Sequence, residues 1–227
     1  MNCMDYLALL FGFLLGVALC VFAFRQTSQT KKGGSLSAKW LCIYSFFGLL
    51  FAINFLFVYR SITQLPQGID YVWAILYLLV GAVLIHSAVV DIISFEIYAK
   101  PIYLMLICAF LLNIFLYLAG QPNNIIAGAI ASIIFFLIIQ ITKKKGMGEG
   151  DLLIFTLMGL SLGLGRLIVS FYIMVLTGSL VGLILGVKYG KIKGIKIPFV
   201  PFMVLGYFVS LVWGNEIIAW YMNQFHS

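Results

Sequence analysis

Charged residues are scarce in this sequence. They make up 9% of the 227 residues, whereas apolar residues make up 63%. A soluble domain carries roughly 25% charged residues, and its core cannot bury so much apolar surface. A lipid bilayer can surround such a surface. The composition therefore predicts an integral membrane protein and excludes an ordinary soluble enzyme.

Several signatures of other protein classes are also missing. The four cysteines form no CxxC pair, and the two histidines have no metal-ligand spacing, so neither a disulfide framework nor a zinc site has support. No GxSxG, Walker or Rossmann glycine pattern occurs. Basic residues outnumber acidic ones, 14 to 7, but they lie in short loops, which is typical of a membrane protein. We expect no metal, no cofactor and no nucleic acid partner.

Apolar segments of about 20 residues predict membrane-spanning helices. The sequence predicts an all-α fold, a polytopic transmembrane helix bundle of about eight spans. The segments lie near residues 4–24, 38–59, 71–90, 101–119, 123–142, 151–165, 167–187 and 198–222.

The distribution of basic residues predicts the orientation. If the N-terminus lies outside the cytoplasm, every lysine and arginine except Arg60 and Arg166 falls in an inner loop, as the positive-inside rule requires. Both termini are therefore predicted to lie outside the cytoplasm. Trp213, Trp220 and Tyr221 would then be aromatic anchors at the outer interface.

Four acidic residues fall on the predicted inner side, and two of them stand out. Asp91 follows a long apolar run, at a helix C-terminus, where the helix dipole disfavours an anion. Asp151 opens the sixth segment after a glycine-rich stretch. A structural N-cap is the alternative interpretation of Asp151. His86 lies about 140° around the helix from Asp91 and is interpreted as a packing residue.

Two carboxylates that face each other can share a proton. One then acts as general base on water and the other as general acid toward the scissile carbonyl and the leaving amine. The helix dipoles predict that Asp91 is mostly protonated and Asp151 mostly ionised. This pattern favours aspartyl protease chemistry, which needs neither a metal nor a nucleophilic side chain.

Three motifs carry a family resemblance. Gly148-Glu149-Gly150-Asp151 matches the GxGD signature of intramembrane aspartyl proteases. Asp91 to Ile97 fits the pattern of Asp, five residues, Ile-Pro, with Tyr98 in place of the proline. Pro198-Phe199-Val200-Pro201-Phe202 resembles a late Pro-Phe-Gly-Pro-Phe element, with valine in place of glycine. From about residue 71 onward, the chain resembles the type IV prepilin peptidases in the order and spacing of these motifs.

The resemblance implies a membrane aspartyl endopeptidase that cleaves the leader of prepilin-like precursors at the cytoplasmic face of the inner membrane. Its partners would be those precursors and the lipid bilayer. Residues 1–70 would form an N-terminal membrane region with two spans, and residues 71–227 the catalytic region. The implied catalytic residues are Asp91 and Asp151. Predicted substrate-binding residues are Gly148, Gly150, Glu96, Glu149, Pro198 and Pro201.

Bacterial members of the family with two activities carry a large inner loop with two CxxC pairs after the first span. Here the corresponding linker is short and free of cysteine. The resemblance is therefore to a short form without the cysteine-rich loop, and N-methylation of the product is not expected.

Two other functions compete with this interpretation. One is a presenilin-like or signal-peptide-peptidase-like protease, in which the first aspartate lies deep in a span within a Tyr-Asp pair; here Val90 precedes Asp91. The other is a non-enzymatic transporter or assembly subunit, because intramembrane acids also serve ion pathways and helix contacts.

Overall fold

A computed structural model describes residues 3–30, 38–64, 68–142, 148–189 and 197–224. These residues form eight α-helices and no strand. The helices are α1 (Cys3–Thr30), α2 (Ala38–Gln64), α3 (Gly68–Ser94), α4 (Ala99–Leu118), α5 (Ile125–Ile141), α6 (Glu149–Leu162), α7 (Leu164–Tyr189) and α8 (Val200–Asn223). Each predicted apolar segment coincides with one of them, so the predicted all-helical membrane fold is confirmed.

Four helices of the described chain are long and apolar enough to cross a membrane. They are α4, α7, α8 and the Val72–Ser94 part of α3. By contrast, α6 has 14 residues and measures about 21 Å, less than the roughly 30 Å of a hydrocarbon core. The chain is thus a multi-pass membrane protein. Its orientation stays a prediction, and several of the inner-loop lysines lie outside the described residues: Lys31, Lys32, Lys143, Lys144, Lys145, Lys191, Lys193 and Lys196.

The chain divides into two compact units, Met1–Asn123 and Asn124–Ser227. In the first unit, α1 and α2 pack on each other and on α3, and α3 packs on α4. In the second unit, α5 packs on α6, α7 packs on α8, and α8 also contacts α6. The predicted regions 1–70 and 71–227 follow the family resemblance rather than compactness, and they remain a prediction.

Small residues allow the helices of each unit to approach closely. A methyl group added at Gly16 of α1 would lie 2.8 Å from Phe51 Cβ and 2.9 Å from Gly48 Cα of α2. One added at Gly159 of α6 would lie 2.8 Å from the Ala127 carbonyl oxygen of α5. Close backbone approach at glycine is the usual way in which membrane helices gain packing, because lipid provides no hydrophobic driving force between them.

The end of α6 is fixed by a side chain from the beginning of α5. Asn124 Nδ2 donates hydrogen bonds to the carbonyl oxygens of Leu160, at 3.3 Å, and Ser161, at 3.1 Å. These are among the last carbonyls of α6, which lack partners within the helix. The chain then turns at Gly163, with φ 76° and ψ 170°, a backbone region that is essentially restricted to glycine. Asn124 and Gly163 together hold α6 in place.

Candidate active site

Asp91 lies in the last turn of α3 and is 7% exposed. The helix continues past the predicted end at residue 90 and stops after Ser94. Ser94 Oγ donates to the Val90 carbonyl at 2.9 Å, and the Phe95 N–H donates to the Asp91 carbonyl at 2.9 Å. The second bond satisfies the Asp91 carbonyl, one of the last four, which a helix end leaves open. Asp91 is therefore a buried carboxylate in the last turn of α3, at the helix C-terminus as predicted.

The residue that ends α3 has an unusual backbone conformation. Phe95 has φ 55°, in the left-handed region that glycine or asparagine normally occupies after a helix. Its side chain is 52% exposed, so burial of the ring does not explain this conformation. Strained residues of this kind cluster at functional sites. The sequence pattern gave no signal for Phe95, because a large aromatic residue is not typical of this position.

Asp151 lies in the first turn of α6 and is 8% exposed. Gly148 is the N-cap, with φ −92° and ψ 165°, and its N–H donates to Asp151 Oδ2 at 2.9 Å. The alternative interpretation of Asp151 as the N-cap itself is therefore wrong, because α6 begins two residues earlier. Asp151 still satisfies one N–H at the helix start, which gives it a structural role alongside any chemical one.

Burial and hydrogen bonding act on the Asp151 carboxyl in opposite directions. Asp151 lies outside the four helices with spanning length. Burial raises the pKa of Asp151 above its usual value, and the hydrogen bond from the Gly148 N–H lowers it by a smaller amount. The helix N-terminus was predicted to lower this pKa, and burial acts against that prediction. The order of the Asp91 and Asp151 pKa values remains a prediction.

Gly148 and Gly150, the two described glycines before Asp151, do not have left-handed backbone conformations. Gly148 has a negative φ, and Gly150 lies within the first turn of α6. Among the described glycines, positive φ is confined to Gly120 and Gly163. A methyl group at Gly148 would lie 3.8 Å from Asp151 Oδ2, an ordinary contact. A glycine-rich stretch can serve a positive φ or a backbone that must stay bare, and for Gly148 and Gly150 the second explanation is the one compatible with the structure.

The two predicted glutamates are both exposed. Glu149 is the first residue of α6, next to Asp151 in the chain. Glu96 lies in the segment between α3 and α4, and its N–H donates to Ser94 Oγ at 3.3 Å. Each glutamate therefore accompanies one of the aspartates, within five residues of it along the chain.

The predicted prolines lie at the beginning of α8. Pro198 is in the extended segment before the helix and Pro201 in its first turn, where proline costs no hydrogen bond. The neighbouring rings of Phe199 and Phe202 pack toward α7, since a methyl group at Gly178 would lie 3.6 Å from each. The element thus has a packing role, and a role of the prolines in substrate binding stays a prediction.

His86 lies beside a groove of about 330 Å³ formed by α1, α3 and α4. The centroid of its ring is 6.4 Å from that of Phe22 and 6.5 Å from that of Tyr98. Within the described chain, no three His, Cys, Asp or Glu side chains come together as a possible metal site. Of the two buried aspartates, Asp91 lies in the first unit and Asp151 in the second.

These features define a class: a multi-pass helical membrane protein with two buried aspartates, each in a terminal turn of its helix. Residues 78–187 match the model of the type IV leader peptidase family. This segment includes both aspartates and the Gly148 to Asp151 motif. Just under half of the chain is therefore similar to the type IV leader peptidase family.

Three similar proteins are each named prepilin leader peptidase/N-methyltransferase. The protein from Legionella pneumophila is 35% identical over 99 residues, 43% of this chain and 34% of its own length. That from Bacillus subtilis (strain 168) is 30% identical over 97 residues, 43% of this chain and 39% of its own length. That from Pseudomonas aeruginosa is 33% identical over 94 residues, 40% of this chain and 31% of its own length. The chain thus spans about a third of the length of these relatives. No solved structure matches it.

Proposed function

We propose that this protein is a membrane aspartyl endopeptidase that removes the leader peptide of type IV prepilin-like precursors. The observation that carries the proposal is the family match over residues 78–187, a segment that contains two buried aspartates in terminal helical turns. The distribution of basic residues supports cleavage at the cytoplasmic face of the inner membrane. The aspartates explain how the peptide bond is broken, and the relatives' names suggest which peptide it is.

The proposed reaction is hydrolysis by a pair of carboxyl groups that holds one proton. The ionised carboxylate takes a proton from water, and the water oxygen attacks the scissile carbonyl carbon. The protonated carboxyl gives its proton toward the carbonyl oxygen, and the leaving amine takes up a proton as the C–N bond breaks. One water is consumed, and the products are a carboxylate and an amine.

The helix ends favour particular roles for the two aspartates. At the end of α3, the dipole favours the protonated form of Asp91. At the start of α6, the dipole and the Gly148 N–H favour the ionised form of Asp151. We therefore assign Asp91 as the acid and Asp151 as the base that activates water. Burial raises the pKa of Asp151 and therefore acts against this assignment.

The bare backbone before Asp151 is the proposed docking edge for the extended substrate. An extended peptide binds through main-chain hydrogen bonds, and side chains along the edge would keep it away. Gly148 and Gly150 leave this edge open. Pro198 and Pro201 would border the substrate from the start of α8.

Gly150→Val is expected to lower the rate of precursor cleavage at least about tenfold, because the branched side chain occupies the docking edge. Valine has a higher helix propensity than glycine, so the yield of folded protein should not fall. Rates of processing in membranes that contain equal amounts of each protein provide the measurement, with Gly150→Ala as the smaller matched change. If the valine variant and the wild type cleave at the same rate, the docking edge is not at Gly150.

Glu96 and Glu149 are proposed to receive the basic residue that ends the leader. Glu96→Lys or Glu149→Lys should slow cleavage of a leader that ends in Lys-Gly about threefold more than cleavage of a neutral leader. The expected threefold difference is modest because exposed ion pairs contribute up to about 1 kcal/mol. Competition between the two leaders in one reaction measures this ratio directly. An unchanged ratio would leave both glutamates as solvated loop charges.

We propose that the protein has peptidase activity without N-methyltransferase activity. The relatives' names include both activities, but the family that matches residues 78–187 is described by the peptidase activity alone. The linker after α1 also contains no CxxC pair. The mature product is therefore expected to have an unmethylated N-terminus when this protein is the sole processing enzyme.

A further inference from the structure

A groove of about 380 Å³ runs along one side of α8. It is lined by Val209, Trp213, Glu216, Ile217 and Trp220. Steps of three and four residues return to the same helix face, so these side chains form one stripe. Glu216 and Trp220 face away from α7, because Gly214, which contacts Arg166 of α7, lies about 160° around the helix from Glu216 and about 120° from Trp220.

The stripe combines apolar surface with one negative charge. Trp213 is 49% and Trp220 66% exposed, and α8 is one of the helices with spanning length. No hydrogen bond or ion pair reaches Glu216 from the residues that the structure describes. Arg166 at the same end of the unit is engaged elsewhere, since its Nε donates to Asn215 Oδ1 at 3.1 Å. A carboxylate on a membrane-spanning helix is normally paired, so we expect a cationic ligand at Glu216.

The two tryptophans select the kind of cation. The face of an indole ring attracts ammonium groups, and sites for alkylammonium ligands are built from such rings. Trp213 and Trp220 are seven residues apart, about 10 Å along the helix, with Glu216 between them. An ammonium group at Glu216 would lie between the two rings along the helix.

The position along α8 points to a lipid as the carrier of that ammonium group. Glu216 lies about 10 Å from the end of α8 at Asn223, and tryptophan is enriched at the level of lipid headgroups. Val209 and Ile217 continue the stripe with apolar surface suited to an acyl chain. A free amine would not contact that apolar surface, whereas a phospholipid can contact Glu216 with its ammonium group and the apolar surface with an acyl chain.

We propose that Trp213, Glu216 and Trp220 form a binding site for the ammonium group of a zwitterionic phospholipid. The site is independent of the proposed peptidase chemistry. It retains one lipid class at the end of α8 and fixes the depth of that helix in the bilayer.

Lipid retention by the full-length protein tests the proposal. The protein is reconstituted in vesicles of equal parts phosphatidylethanolamine and phosphatidylethanol with identical acyl chains, extracted in detergent, and the retained lipids are counted by mass spectrometry. The two lipids differ in the ammonium group. The wild type should retain the ethanolamine lipid roughly fivefold more often, as exposed cation–π and ion-pair contributions imply.

Glu216→Gln and the double variant Trp213→Leu/Trp220→Leu should each abolish this preference. Tyr221→Leu, a change of an interfacial aromatic residue that does not line the groove, should keep it. Glu216→Gln has the same size as the wild-type residue, so its folding is not at issue. Equal retention of both lipids by the wild type, or an undiminished preference in Glu216→Gln, would overturn the proposal. Equal retention together with Glu216-dependent binding of a lysine-bearing transmembrane peptide would assign the groove to a protein partner instead.

Discussion

Asp91→Asn and Asp151→Asn are each expected to leave a prepilin precursor uncut when they are co-expressed with it. Removal of one carboxyl group leaves no partner for the shared proton, and general acid–base catalysis of this kind contributes about 10²- to 10⁴-fold to a rate. We therefore expect a loss of roughly a thousandfold, which would appear as precursor alone on a gel that separates the two forms.

The substitution by asparagine is chosen because it preserves the local structure. In Asp151→Asn, the amide oxygen of the new side chain would still accept the hydrogen bond that Gly148 now donates to Asp151 Oδ2 at 2.9 Å, so α6 should keep its first turn. Equal amounts of the variant and wild-type proteins in the membrane fraction confirm that folding is intact. Substantial processing by either folded variant would remove the substituted aspartate from the chemistry, and for Asp151 it would leave a capping role only.

Gly163→Ala is expected to destabilise the protein by about 3 kcal/mol. Its φ of 76° with ψ of 170° is a conformation that other residues adopt only at a cost of about 1–3 kcal/mol. The new methyl group would also lie 2.8 Å from Asn124 Oδ1, which would push Asn124 away from the end of α6. Thermal unfolding in detergent, followed by circular dichroism, measures the effect.

Gly120→Ala is the matched control for this change. Gly120 also has a positive φ, of 67°, but a methyl group there would meet nothing within 4 Å. Its cost should be about 1 kcal/mol, the backbone contribution alone. If the two variants unfold at the same temperature, the contact between Gly163 and Asn124 contributes nothing, and α6 is held by its packing.

The helices could be predicted from the sequence because a long apolar run in a membrane protein adopts one main structure, the α-helix. A span must satisfy its backbone internally, so a long apolar segment forms a helix. The last segment, predicted near 198–222, is Val200–Asn223 in the structure. The third segment, predicted near 71–90 with Asp91 at the helix C-terminus, is Gly68–Ser94 in the structure, with Asp91 in its last turn.

The two aspartates of the candidate site could also be predicted from the sequence, because charged residues are rare in apolar segments. Buried carboxylates are rare enough that their positions in the sequence are informative, and both Asp91 and Asp151 are buried. The left-handed Phe95 and the bond from Asn124 to Leu160 were not predictable. The first contradicts the usual preference for glycine at that position, and the second joins residues 36 apart in the chain.

Hydrolysis of a purified prepilin precursor by the purified full-length protein tests the central claim most directly. The reaction is run in ¹⁸O-labelled water with EDTA and hydroxylamine, and the leader peptide is analysed by mass spectrometry. An aspartyl pair activates water directly, so the account predicts cleavage with one ¹⁸O atom in the new leader carboxylate and no hydroxamate. Loss of cleavage in EDTA would indicate metal-dependent hydrolysis. A leader hydroxamate would indicate an acyl-enzyme, and either result would contradict the account.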